Sequence, residues 1–445
     1  RLDPWHDQLN PTSVIYPPLF YPLVETDESN HLRSEFLDLS TSGATNSTFN
    51  TYRLCLKNDV RFSDGSKIEV EDLVVALRTA HTRPWFLPQI AVLKEAGECV
   101  LLTLAISDDR YFDRLFTRST TILKRSTVGQ RVPVGLGPYR VVSMSQTSIT
   151  MEALPQRVVG DFHHLKFVKA NAPNKMGRST SSIDDWNAVP ESAQPVEALT
   201  GFTEVKRTLQ ETFILTVVHS NRQMKLLLSQ CFDRDDFLKV TGTRVLRSDS
   251  LVPAGLLPGV TNGHETSREK CNFSGPKPSL TYHHYLGGPV SPLIEFFKRH
   301  EKSLPFKIRV EVKTVDETVN AWLTQKPALY LGSVGGHDPR PEAFIGQFAD
   351  ANSPAAESLP GLNRIMRKAM LTSDPVLRRE LLIAGHTELM NSGILIPLGQ
   401  RVAIFRYRPE VFDIILNSGA LLSPRLDKLR QRSPWHPMVA GWLFH

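Results

Sequence analysis

Two adjacent histidine pairs, His163-His164 and His283-His284, and three carboxylate pairs, Asp108-Asp109, Asp184-Asp185 and Asp235-Asp236, are the groupings best suited to metal or acid–base chemistry. Neighbours on a strand point to opposite faces, so one histidine pair offers a given ion a single ligand and reads as polar strand or loop. The carboxylate pairs sit beside turns or helix starts, where capping of backbone N–H groups accounts for them. Four cysteines, Cys55, Cys99, Cys231 and Cys271, form no CxxC pair, which argues against a structural zinc site. Their even number permits two disulfides. Cys55 and Cys99 fall in strand-like runs and are the pairing to test, against the alternative of buried free thiols. No metal site and no cofactor are expected.

Signatures of catalysis fail on spacing. Gly332-Ser333-Val334-Gly335 does not form a nucleophile elbow. Gly135-Leu136-Gly137 stops after two glycines, and Pro138-Tyr139-Arg140 reads as a turn into a strand where a phosphate site needs a helix. HExxH is absent. The chain is expected to bind and not to catalyse.

The 445 residues imply two or three domains, and 41% apolar with 22% charged residues is an ordinary globular composition. The 52 basic and 46 acidic side chains leave a net charge of +6, scattered along the chain. The densest basic stretches, 364–368 and 428–432, read as solvated helix faces, so no nucleic-acid partner is expected. Apolar runs such as 100–106 and 213–218 are too short to span a bilayer. The chain opens Arg1-Leu2-Asp3-Pro4-Trp5, and export through a leader removed in processing is expected.

These residues need elements to hold them. Tyr52–Leu56 alternates as a half-buried strand continued by 60–62, and Asp64-Gly65 marks a turn. Val70, Leu73, Val74 and Leu77 recur at helical spacing, with Glu69, Glu71 and Asp72 in the first turn. Strands are expected at 99–106, 139–144, 212–218, 280–285, 307–313, 328–333, 394–398 and 402–407. A helix is expected over 224–238, and another opens at Asp374-Pro375 and runs to about Met390, with Gly393 as its C-terminal glycine. Residues 171–200 read as loops or a weakly structured insertion, and 251–279 as a loop region. Strands and helices alternate without a steady βαβ rhythm, which implies α/β lobes with mixed sheets.

Taken in order, six blocks resemble the family 5 solute-binding proteins of ABC importers, the oligopeptide, dipeptide and nickel-binding group. They are Leu2-Asp3-Pro4; Leu54–Ser66 with Glu69–Val74; Pro133–Tyr139; Cys231–Leu238; Asp338-Pro339 with Phe344; and Ile396-Pro397-Leu398. The resemblance implies a two-lobed periplasmic-binding-protein-like α/β fold of the class II type, with mixed sheets and an extra small domain. Lobe one would take 1–27, 108–211 and 396–445, the small domain 28–107, and the other lobe 212–395. The protein would be a periplasmic or otherwise extracytoplasmic monomer, lipid-anchored or free. It would capture a peptide or other small solute between its lobes and deliver it to an ABC permease, hinging about strands near 211 and 396.

The same resemblance implies the ligand site: Gln8, Leu9 and Asn10, Trp85, Gly332, Ser333, Val334, Gly335, His337 and Asp338. Peptide-binding members carry an ammonium-binding aspartate where this chain has Gly335, and many carry a tryptophan where it has Gly332. A buried ammonium without a partner costs several kcal/mol, against about 8 kcal/mol for micromolar binding. A free peptide amine would therefore need another carboxylate, with Asp338 nearest in sequence. Peptides remain the expected class. The alternatives are a diverged ligand sensor, or a binder of chelated metal, haem or oligosaccharide.

Overall fold

The computed structural model describes residues 2, 4–5, 15–26, 31–82, 87–115, 120–145, 148–155, 163–168, 183–185, 203–242, 245–253, 255–260, 271, 273, 275–285, 290–335, 340–349, 353, 359–372, 374–407, 411–412 and 430–431. Among these, no helix is long and apolar enough to cross a membrane.

One apolar core gathers buried residues from Leu2 to Ala153. A four-stranded antiparallel sheet, in the order Gly43–Ala44, Thr51–Cys55, Cys99–Leu104 and Ile90–Ala96, forms one wall. Cys55 stands opposite Cys99 in its register, and the two form a disulfide, as the strand-like runs around them suggested. The helix Val70–Ala80 buries Leu73, Ala76 and Leu77 in this core. Its first turn is fixed by Asp72, whose carboxylate accepts from the Glu69 N–H at 3.1 Å. Residues 60–62 do not extend the first strand; Arg61 makes an isolated bridge to Lys67 around the Asp64-Gly65 turn. A three-stranded sheet of Tyr139–Met144, Ser148–Ala153 and His164–Val168 completes this body.

A positive φ is absent at Gly135 and Gly137. Their role is close approach: a Cβ on Gly137 would lie 2.2 Å from the Pro18 carbonyl oxygen, and one on Gly135 2.6 Å from that of Leu19. The Gly137 N–H donates to Leu19 O at 2.8 Å, and Ser63 N–H donates to Gly135 O at 3.0 Å. Lys124 Nζ bonds Asp64 at 2.6 Å. Two blocks far apart in sequence thus hold one junction. Trp5 joins it, its indole N–H donating to Thr121 O at 2.8 Å.

The second body is built on a seven-stranded sheet, with apolar cores on residues 214–395 and 215–398. Two long strands, Thr203–Val218 and Leu395–Tyr407, pair antiparallel along their length. The short strand Ile183–Asp185 pairs with the second of them, so Asp184-Asp185 lie in a strand. On the other side the order continues through Ala328–Gly335, Ser279–His284 and Lys307–Val312, the last three mutually parallel. The separate strands expected at 394–398 and 402–407 are one. Gly399 (φ +146) and Pro397 sit at irregularities of the pairing, where a missing N–H and an unusual φ are tolerated.

The helix expected over 224–238 is two, Arg222–Cys231 and Arg234–Thr241. Asp233 breaks it by accepting from the Asp236 N–H at 3.1 Å and so starting a new helix. Asp235 and Asp236 are therefore not the caps; they pair with Arg247 and with Arg299 and His300. Asp374 does cap Pro375–Met390, accepting from the Val376 N–H at 2.9 Å. Gly393 lies beyond that helix at φ +73, and a Cβ there would meet the Leu226 nitrogen at 2.5 Å. Cys231 and Cys271 form the second disulfide.

Candidate functional site

Strand Ala328–Gly335 carries four of the expected ligand residues to the carboxyl edge of the parallel strands. Open α/β sheets place ligands at that edge. Gly332 is half-buried and has open space where a side chain would go, and Ser333 is exposed. Val334 is buried in the core. Gly335 adopts φ +86, a conformation that an aspartate would adopt only with strain. Gln8, Leu9, Asn10, Trp85, His337 and Asp338 lie outside the described residues.

Directly opposite Gly335, in register on the neighbouring long strand, is Glu211. Its carboxylate is buried and bonded to Arg401 Nη1 at 2.9 Å. The guanidinium also stands 5.9 Å from the centre of the Phe213 ring. Tyr285 is close by: its hydroxyl donates to Leu331 O at 2.9 Å, and burial, then the Glu211 charge, push its pKa up to about 12. The carboxylate opposite the end of this strand is thus already engaged by an arginine.

Beyond Gly335 the chain re-enters the described region at Arg340, before the short helix Pro341–Gly346. Here the two bodies meet. Asp108, buried, accepts from the Arg110 N–H at 3.2 Å and pairs with buried Arg114. The Tyr52 hydroxyl donates to the Asp108 carbonyl, and Tyr111 contacts His81 Nε2 at 3.3 Å. Burial, then the Arg340 charge, lower the pKa of Arg114, while Asp108 and Glu342 oppose that shift. Asp109 pairs with Arg378 at 3.0 Å, and Arg110 Nη1 stands 3.8 Å from Glu342. Among the described residues, Arg114 Nη1 and both Glu342 carboxylate oxygens are buried without a hydrogen bond.

The sequence motifs pointed to none of Glu211, Arg401, Arg114, Glu342 or Arg378. Of the histidine pairs, His163 and His164 are exposed, and His283 and His284 are buried in strand Ser279–His284. No group of three or more metal-ligating side chains occurs among the described residues.

No family model matches the sequence, and no curated protein matches it. Solved structures do. The murein tripeptide binding protein MppA of Escherichia coli superposes with a TM-score of 0.79 at 13% identity, covering 97% of this chain and 96% of that one. A dipeptide binding protein from Pseudoalteromonas, in complex with Met-Leu, gives 0.78 at 13% identity and 97% of both chains. NikA from Brucella suis, in complex with Fe(III)-EDTA, gives 0.75 at 12% identity, over 93% of this chain and 94% of that one. The chain has the two-lobed periplasmic-binding-protein fold, in the form shared by the peptide- and nickel-binding proteins.

Proposed function

We propose that this chain is an extracytoplasmic solute-binding protein of an ABC importer, capturing peptides between two lobes and handing them to a membrane permease. The observation that carries the reading is end-to-end structural likeness to a dipeptide binding protein solved with Met-Leu, to a murein tripeptide binding protein and to a NikA solved with Fe(III)-EDTA, at 93% coverage or more. The two disulfides fit an oxidising compartment. The long strands Thr203–Val218 and Leu395–Tyr407 serve as the hinge. Ligand lies at the carboxyl edge of strand Ala328–Gly335, and Gln8, Leu9, Asn10, Trp85, His337 and Asp338 are its further proposed contacts. The protein works as a monomer, by binding and without chemistry.

The geometry around Gly335 sharpens the ligand class. Glu211 is bonded to Arg401, and Gly335 has no side chain, so neither supplies a free carboxylate for a peptide amine. Recognition rests on the peptide main chain, with Asp338 the acid nearest to Gly335 in sequence. A chelated-metal ligand is the second reading, favoured by the likeness to NikA holding Fe(III)-EDTA. Native mass spectrometry of protein purified from a periplasm without denaturation separates them. A spread of retained peptide masses is expected. One discrete non-peptide mass sinks the peptide reading, and a metal in it favours the second.

A further inference from the structure

Charges of opposite sign face each other where the two bodies meet, and the arginines among them are held in place by their own bodies. On the first body, Asp109 follows Asp108, whose carboxylate is locked by Arg114 and the Arg110 N–H. On the second, Arg378 is fixed on its helix by two bonds to the Thr372 carbonyl, from Nε at 3.0 Å and Nη2 at 2.7 Å. From that anchor Nη2 also reaches Asp109 at 3.0 Å. Pre-organised partners lose little side-chain entropy on meeting, which strengthens a charge pair beyond the usual surface value. Beside this pair, Arg110 faces Glu342 at 3.8 Å while sharing its guanidinium with Asp113 at 3.3 Å. Glu342 is buried and accepts no hydrogen bond among the described residues.

We propose that Asp109–Arg378 and Arg110–Glu342 form a two-part ionic latch between the bodies, the first part engaged and the second short of hydrogen-bond contact. The latch rests on the two-lobed capture reading. It sets the closed fraction before ligand arrives, because both contacts join groups from different bodies and are lost when the bodies separate. A buried carboxylate without a donor is costly. Glu342 therefore makes the half-latched state marginal, and closer approach of Arg110 relieves that cost.

The test is single-molecule FRET on ligand-free protein, with one dye in each body at exposed Val142 and Val312. The dyes attach through non-natural side chains, since no described cysteine is free. Asp109→Arg and Arg378→Asp each place like charges together and are expected to lower the closed-to-open ratio about threefold or more, while the double reversal restores it. Asp109→Asn, mild enough to keep the fold, lowers the ratio less and weakens its dependence on salt. Melting curves check that each variant folds. Folded variants that leave the ratio unchanged, or a double reversal that merely compounds the singles, overturn the latch. A distance moved by a tripeptide library but by no variant overturns the latch alone. A distance that neither moves overturns the capture reading with it.

Discussion

The hinge strands and the lobe junction both bury arginine–carboxylate charge, and they do so in opposite ways. At the hinge, Glu211 and Arg401 lie on paired strands of one sheet and are joined at 2.9 Å. At the junction, Arg110 and Glu342 come from different bodies and stand 3.8 Å apart without a hydrogen bond. Under the proposed hinge motion the strand pair persists while the bodies move and so contributes to folding, whereas the junction pairs are made and broken and so contribute to the balance between states.

The contrast is broken most directly at the hinge. Glu211→Ala leaves a buried arginine without its carboxylate and is expected to cost about 3–5 kcal/mol of unfolding free energy in urea titration. A loss as small as that of a surface pair would mean that Arg401 finds water, and the hinge would then resemble the junction.

Acid comes next. His81 and His386 are both pushed down to about 4 by burial. His386 Nε2 accepts from the Leu251 N–H at 3.3 Å, which requires the neutral ring. The unfolded chain titrates these groups near 6.5, so it binds more protons between the two values. Their stabilising contribution is complete above about pH 6.5 and falls as pH drops towards 4, by up to roughly 3 kcal/mol each. Urea midpoints that stay flat between about pH 7 and pH 5 would contradict this.

Asp109→Asn, at the junction, is expected to cost under about 1 kcal/mol of stability while shifting the closed fraction. A cost matching that of Glu211→Ala would erase the distinction. The smallest effect is expected for Gly332→Ala, where the new methyl meets nothing within 4 Å. Its stability stays within about 0.5 kcal/mol of the parent, and weaker retention of peptide would support ligand contact at this strand.

Local signals were legible in the sequence. Asp374-Pro375 announced a capped helix because a side-chain acceptor and a fixed φ act within four residues. The alternation around Cys55 and Cys99 suggested the pairing that the sheet register delivers. The ordered blocks gave the two-lobed fold, although Gly135 and Gly137 answer to the backbone at Pro18 and Leu19, more than a hundred residues away. The charged groups were illegible for the same reason. Glu211 and Arg401 are 190 residues apart, and Asp109 and Arg378 are 269 apart. Nothing in the local pattern of either partner says that it will be buried against the other.

Peptide capture between hinged lobes is tested most directly by small-angle X-ray scattering before and after adding a defined tripeptide library. The account predicts a smaller radius of gyration with peptide, and no change with the same amino acids supplied free. An unchanged radius, with no peptide retained after gel filtration, would contradict it.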